Sequence, residues 1–205
     1  MTKKKNKTTA GKLLRAAILI LAILWGTGIL GRGKLPGDNG IYLSSGSGVP
    51  LLLQTDPLWK DHPYGSGTVG SDGCGPTCLS MVAVYYGHEE MNPAWMADYA
   101  AKNGYWRSEG TAWSLMTEGA KALGLSSAEL PLSEKKIKSH LEDGEPIICS
   151  VGPGDFTNAG HFIVLTGLKD GKIRVNDPFS RINSGKLWTY EQLSGQIKNL
   201  WVFFD

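Results

Sequence analysis

The chain has 205 residues, 41% of them hydrophobic and seven of them tryptophan, which suits one globular core and excludes a disordered chain. Its net charge of +2 averages two unlike parts: residues 1–34 hold eight lysines and arginines and no acid, and the remainder holds thirteen bases against nineteen acids, a net of −6. A mildly acidic folded part without a basic stripe excludes nucleic acid as the main partner, and three cysteines are too few for a disulfide scaffold while leaving at least one free thiol.

At the start of the chain, Lys3, Lys4, Lys5, Lys7 and Lys12 form a basic n-region over residues 1–12, followed by an apolar run over 13–30 interrupted by Arg15, Gly26, Thr27 and Gly28. The run approaches the roughly 20 residues that a spanning helix needs, and no site of the Ala-x-Ala kind ends it, so an uncleaved signal anchor is expected rather than a removed signal peptide. Positive charge stays on the cytoplasmic side, which puts everything after the run outside. The expected location is the cell membrane, single-pass with the folded domain outside, or the medium if the segment is cleaved. Residues 31–50 are rich in Gly, Ser and Pro without apolar periodicity and read as a flexible linker, with the folded domain over 51–205.

Within that domain the pattern predicts a short strand at 51–54, a Gly-rich loop at 64–73 and a helix over 75–86, with Pro76 in its first turn and Gly87 past its end. Further helices are expected at 92–102, 111–123 and 133–143, the last two stopped by Gly124 and Gly144. After Gly144 the runs turn β-rich: 146–151, 161–168, 172–177 and 200–204, with a short helix from Tyr190 whose Thr189 and Gln192 fit a capping box. Lys169-Asp170-Gly171 signals a tight hairpin. The expected fold class is α+β, a helical first half and an antiparallel β-sheet second half.

The chemistry concentrates in Gly73-Cys74-Gly75-Pro76-Thr77-Cys78. Cys74 falls at a helix N-terminus, where unpaired N–H groups and the positive helix end favour a thiolate and can donate to an oxyanion. Cys78 lies one turn further in and reads as a packed thiol, and Cys149, between apolar neighbours, as a core strand residue. Of four histidines, His161 opens a strand after Ala159-Gly160, whereas His62, His88 and His140 read as solvated surface residues. The hairpin brings the end of its second strand, Asn176-Asp177-Pro178, back beside His161. Asp177 would hold the imidazole in its useful tautomer, with Asn176 the rival, since neighbouring strand residues face opposite ways. A zinc site from Cys74, Cys78 and His161 lacks the knuckle spacing and a fourth ligand. Trp59, Tyr64, Trp106 and Trp113 lie in or beside loops and read either as core or as groove lining.

Leu53-Gln54-Thr55-Asp56-Pro57-Leu58-Trp59, Gly73-Cys74-Gly75-Pro76-Thr77-Cys78-Leu79-Ser80-Met81, Gly160-His161-Phe162-Ile163-Val164 and Asn176-Asp177-Pro178 together resemble the papain-like cysteine peptidases related to bacteriocin-leader (double-glycine) peptidases. The resemblance spans 51–205. It implies a papain-like fold with Cys74 as nucleophile, His161 as general base, Asp177 as the orienting residue and Gln54 as an oxyanion-hole donor. It also implies a cofactor-free and metal-free hydrolase acting on peptide or protein substrates through a Cys74 thioester. No P-loop or ATP-binding domain accompanies the peptidase unit, so leader processing does not follow from the fold. A cell-wall peptide amidase or endopeptidase uses the same Cys–His logic, and an inactive peptide-binding module would keep the groove without the chemistry.

Overall fold

The computed structural model describes the backbone of Tyr42–Leu43 and residues 48–205, all within one compact unit. The n-region, the expected anchor at 13–30 and nearly all of the expected linker lie outside the described residues. Among the described residues no helix is long and apolar enough to cross a membrane.

Strand β1 (Tyr42–Leu43) pairs antiparallel with β2 (Pro50–Leu51), and a second small hairpin joins β3 (Pro63–Tyr64) to β4 (Gly67–Thr68). Helix α1 (Val69–Asp72) follows at once, capped by Thr68 and Ser71 acting reciprocally. Helix α2 (Cys74–Tyr85) then runs through the interior: every residue from Gly75 to Ala83 is buried, so its polar Thr77 and Ser80 are enclosed with the rest. Helix α3 (Pro93–Lys102) is capped by Asn92, whose side chain accepts from the N–H groups of Ala94 and Trp95, and packs against α2.

The single helix expected over 111–123 does not form. Gly110–Thr111 instead is strand β6, paired with β5 (Trp106–Arg107), and it is followed by a 3₁₀ turn (Trp113–Met116) and a short α4 (Glu118–Ala122). Thr117, at φ −117° and ψ −82°, breaks the helical path between the two. The strand expected at 51–54 also shortens, because Leu52 to Gln54 leave β2 and Gln54 enters a turn whose N–H donates to the Pro178 carbonyl at 2.8 Å.

The rest of the chain builds a six-stranded antiparallel sheet from β7 (Ser126–Glu129), β8 (Ile147–Val151), β9 (His161–Lys169), β10 (Lys172–Asn176), β11 (Leu187–Trp188) and β12 (Ile197–Phe204), in the order β11-β10-β9-β8-β12-β7. Helix α5 (Glu134–Glu142) precedes β8, while α6 (Arg181–Ser184) and α7 (Tyr190–Ser194) flank β11, α7 with the expected Thr189–Gln192 capping box. At the β9–β10 hairpin Asp170 and Gly171 both take left-handed conformations, φ 52° and 74°, the two positive values that a tight hairpin turn requires.

The sheet is covered on both faces. Ile148, Phe162, Val164, Trp201 and Phe203 pack with α2 into one core, and their strand neighbours Ile147, Cys149, Ile163, Leu165, Leu200 and Val202 pack with Ile137 and Leu141 of α5 into another. Burial of both faces explains why β8 and β9 read as unbroken apolar runs rather than alternating ones. The arrangement leaves the N-terminus of α2 beside the first residue of β9.

Candidate active site

Glycine at 73 and 75 is a packing requirement rather than a turning one. Gly73 has φ −85°, open to any residue, but a Cβ there would sit 2.5 Å from the Val69 carbonyl oxygen. A Cβ on Gly75 would lie 2.7 Å from the side chain of Thr111, which reaches over the start of α2 and bonds the buried Tyr64 hydroxyl at 2.8 Å. Burial, opposed by the bond to Thr111, pushes the Tyr64 phenol up to about 12, so Tyr64 stays neutral. Cys74 is thereby held in the first turn of α2, half-buried, with an N–H of its own and one from Gly75 free of intrahelical partners. The other two thiols are fully buried, and burial pushes both up: Cys78 among the residues of the α2 core and Cys149 in β8.

His161, 8% exposed, shares the groove with Cys74 and bonds, through Nε2, the Asp177 Oδ1 at 2.9 Å. With Nε2 on Asp177, the ring's other nitrogen is the one left for the thiol. Burial alone would lower the imidazole pKa; the bond to Asp177 and the nearness of Cys74, with the charges on both, outweigh it and push His161 up to about 9.

The rivalry between Asn176 and Asp177 is decided by register. Between Arg174 and Val175 the β9–β10 pairing shifts by one residue, after which Val175 opposes Leu165 and Asn176 opposes Val164. Asn176 consequently faces the start of β2, where its amide donates to the carbonyls of Val49 and Pro50 at 3.3 and 3.0 Å. Asp177 turns the other way and meets His161. Its carboxylate, 1% exposed, also accepts from the Phe179 N–H and the Asn183 amide, each at 2.9 Å, and Ser184 accepts from its backbone N–H at 2.9 Å. Asn183 and Ser184 were not anticipated; they sit in the polar run just after Asp177-Pro178, and only the return of α6 brings them back.

Gln54 is buried, and its Nε2 donates to the carbonyls of Gly70 and Val69 at 3.0 and 3.3 Å, while Oε1 has no partner. In this arrangement it braces α1, the segment leading into Cys74, and its donors do not face the groove. The groove itself, about 330 Å³, runs between Cys74 and His161 and is walled by Asp72, Glu109, Trp113 and Ser150. Of the four aromatic residues in doubt, Trp59 and Tyr64 are core, Trp106 is partly buried against that core, and Trp113, 48% exposed, is the one that lines the groove. Among the remaining histidines, His62 bonds Asp98 at 2.8 Å and His140 bonds Glu145 at 2.5 Å, both away from Cys74.

Residues 47–204 match the Peptidase_C39 like family, which takes in nearly all of the described domain. The chain belongs to that family. Membership makes it a cysteine peptidase, a hydrolase of peptide bonds. Among solved structures, the C39-like chain is similar to the peptidase domain of Streptococcus ComA, a bi-functional ABC transporter involved in a quorum-sensing pathway: TM-score 0.50, 23% identity, covering 65% of this chain and 90% of that one. It is also similar to a protein described as a C39-like peptidase from Bacillus anthracis, with TM-score 0.47, 18% identity and coverage of 80% and 97%. A double-glycine-motif protease from an AMS/PCAT transporter, solved in complex with its leader peptide, matches at TM-score 0.43 and 22% identity, covering 63% and 82%. No curated protein sequence matches significantly. At 23% identity the likeness to the ComA peptidase domain speaks for the fold alone.

Proposed function

We propose that Cys74 is the nucleophile, His161 the base and then the acid, and Asp177 the residue that orients His161, in a peptidase that acts outside the cytoplasm on peptide or protein substrates. The observation that carries the reading is His161, which lines one groove with Cys74 at the start of a buried helix and is hydrogen-bonded to the buried Asp177 carboxylate.

The chemistry follows from that geometry. The Cys74 thiolate attacks the scissile carbonyl carbon, and the electron pair moving onto oxygen is received by the N–H groups at the first turn of α2. Collapse breaks the C–N bond, and the leaving amine takes the proton of the His161 imidazolium, which the Asp177 bond has held in place. Water then attacks the Cys74 thioester while His161 removes its proton, releasing the carboxylic acid and restoring the thiolate–imidazolium pair. Gln54 would join as an oxyanion donor by turning Nε2 away from Val69, the longer of its two contacts. The location outside rests on the basic n-region and apolar run of residues 1–30.

The test is alkylation mapped by mass spectrometry together with hydrolysis of a quenched-fluorescence peptide library. Cys74 should react alone in the folded chain, since Cys78 and Cys149 are fully buried, and His161→Ala should slow it; Cys74→Ser should abolish hydrolysis while the melting temperature stays within a few degrees. Indifference of Cys74 labelling to His161→Ala, or hydrolysis surviving in Cys74→Ser, would sink the assignment.

A further inference from the structure

We propose that the recess beneath β10 and α6 is a binding site for a phosphate-bearing ligand. The recess, about 360 Å³, shares no lining residue with the Cys74 groove. Four cationic side chains line it: Lys169 from the end of β9, Arg174 from β10, Arg181 from α6 and Lys186 just beyond, with Thr166 adding a hydroxyl. Among the described residues that line it none carries a carboxylate. Gathering Lys169, Arg174 and Lys186 around one concavity raises their mutual repulsion, and low-dielectric walls concentrate the field at the centre.

Two further observations point to an anion rather than to a merely basic face. The Nε–H of Arg174 is enclosed and has no partner among the described residues, so its desolvation goes uncompensated. Among the described residues the Lys186 ammonium has neutral company, the Asn183 Oδ1 at 3.5 Å and the Trp188 ring at 5.5 Å. Across the hairpin, Lys169 sits directly opposite Lys172, a like-charge pairing that weakens a sheet and keeps positive charge at this edge. Guanidinium forks match the oxygens of phosphate in pairs, and the number of cations suits a multiply charged group.

The experiment is isothermal titration calorimetry of the full chain with inorganic pyrophosphate, with citrate as a polycarboxylate control. Saturable one-to-one binding is expected, with citrate weaker. Arg174→Gln should weaken it at least about tenfold, the loss expected for one charge-assisted hydrogen bond, and so should the Lys169→Gln/Lys186→Gln pair. The lysines at the chain start are present in every variant, so these differences report the recess alone. Both lysines of the pair are exposed, so that variant decides the matter should Arg174→Gln fail to fold. Vesicles of phosphatidylglycerol in phosphatidylcholine separate the sources: sedimentation that weakens in the lysine pair assigns a lipid headgroup, and sedimentation that does not, alongside recess-dependent pyrophosphate binding, assigns a soluble phosphate compound. Unchanged pyrophosphate affinity in the variants, absence of saturable binding, or equal affinity for citrate would overturn the proposal.

Discussion

Asp177 accepts three hydrogen bonds on a carboxylate that is almost wholly enclosed, and this is what makes it an effective clamp on His161. Asp177→Asn keeps the shape but removes the charge and the bond that raise the His161 pKa against the opposing effect of burial. Because His161 titrates above its ordinary 6.5, the proton it holds stabilises the fold fully below about pH 6.5, and that contribution is lost as pH rises through about 9. In the variant both the stability profile and the alkaline limb of kcat/KM should move toward lower pH, with a rate loss of no more than about 10²-fold, the low end for proton-transfer assistance. Coincident pH profiles for the two proteins would remove Asp177 from the site. At Gln54 the expected roles separate by measurement: Gln54→Ala lowers kcat by about 10²-fold if its amide serves the oxyanion, and chiefly lowers the unfolding midpoint if it braces α1. The positions of Cys74 at a helix start and His161 at a strand start were legible from the residues around them. The rank of Asp177 over Asn176 was not, because it depends on a register shift inside the β9–β10 pair that no short motif encodes.

At the scale of elements, the start of α2 is fixed by what presses on it. Gly73→Ala sets a methyl group against the Val69 carbonyl, which is backbone and cannot swing aside. A destabilisation of about 1–3 kcal/mol is expected, as for overpacking elsewhere, read from urea unfolding. An unchanged midpoint would show that α1 yields freely and that the glycine is dispensable. Elements with strong local signals were readable in advance: α2 with Pro76 and Gly87, α3 with its Asn92 cap, and the β9–β10 hairpin with Asp170-Gly171. The region 106–122 was not, since its helix-forming residues are claimed by a tertiary contact. Thr111 is drawn into β6, where it spans Gly75 and the Tyr64 hydroxyl, and tertiary packing of this kind overrides propensity.

For the whole molecule, the location of the domain is a separate prediction from its chemistry. The chain should sediment with membranes and, in intact cells stripped of their wall, be cut by added protease; recovery in the cytosolic fraction would overturn it. A net of −6 for the part after residue 34 hid the basic recess, since the acids that outweigh Lys169, Arg174, Arg181 and Lys186 lie mostly elsewhere in the chain, and the four converge only when β9, β10 and α6 pack. By itself the sequence determined the α+β division and the candidate pair Cys74 and His161, because apolar period, helix caps and glycine spacing act over a few residues and are written locally. The tertiary structure alone decided which residue meets His161, what fills the space over Gly75, and which surfaces carry charge. Those outcomes depend on registers and close approaches between segments far apart in the chain, where a shift of one residue turns a side chain to the opposite face.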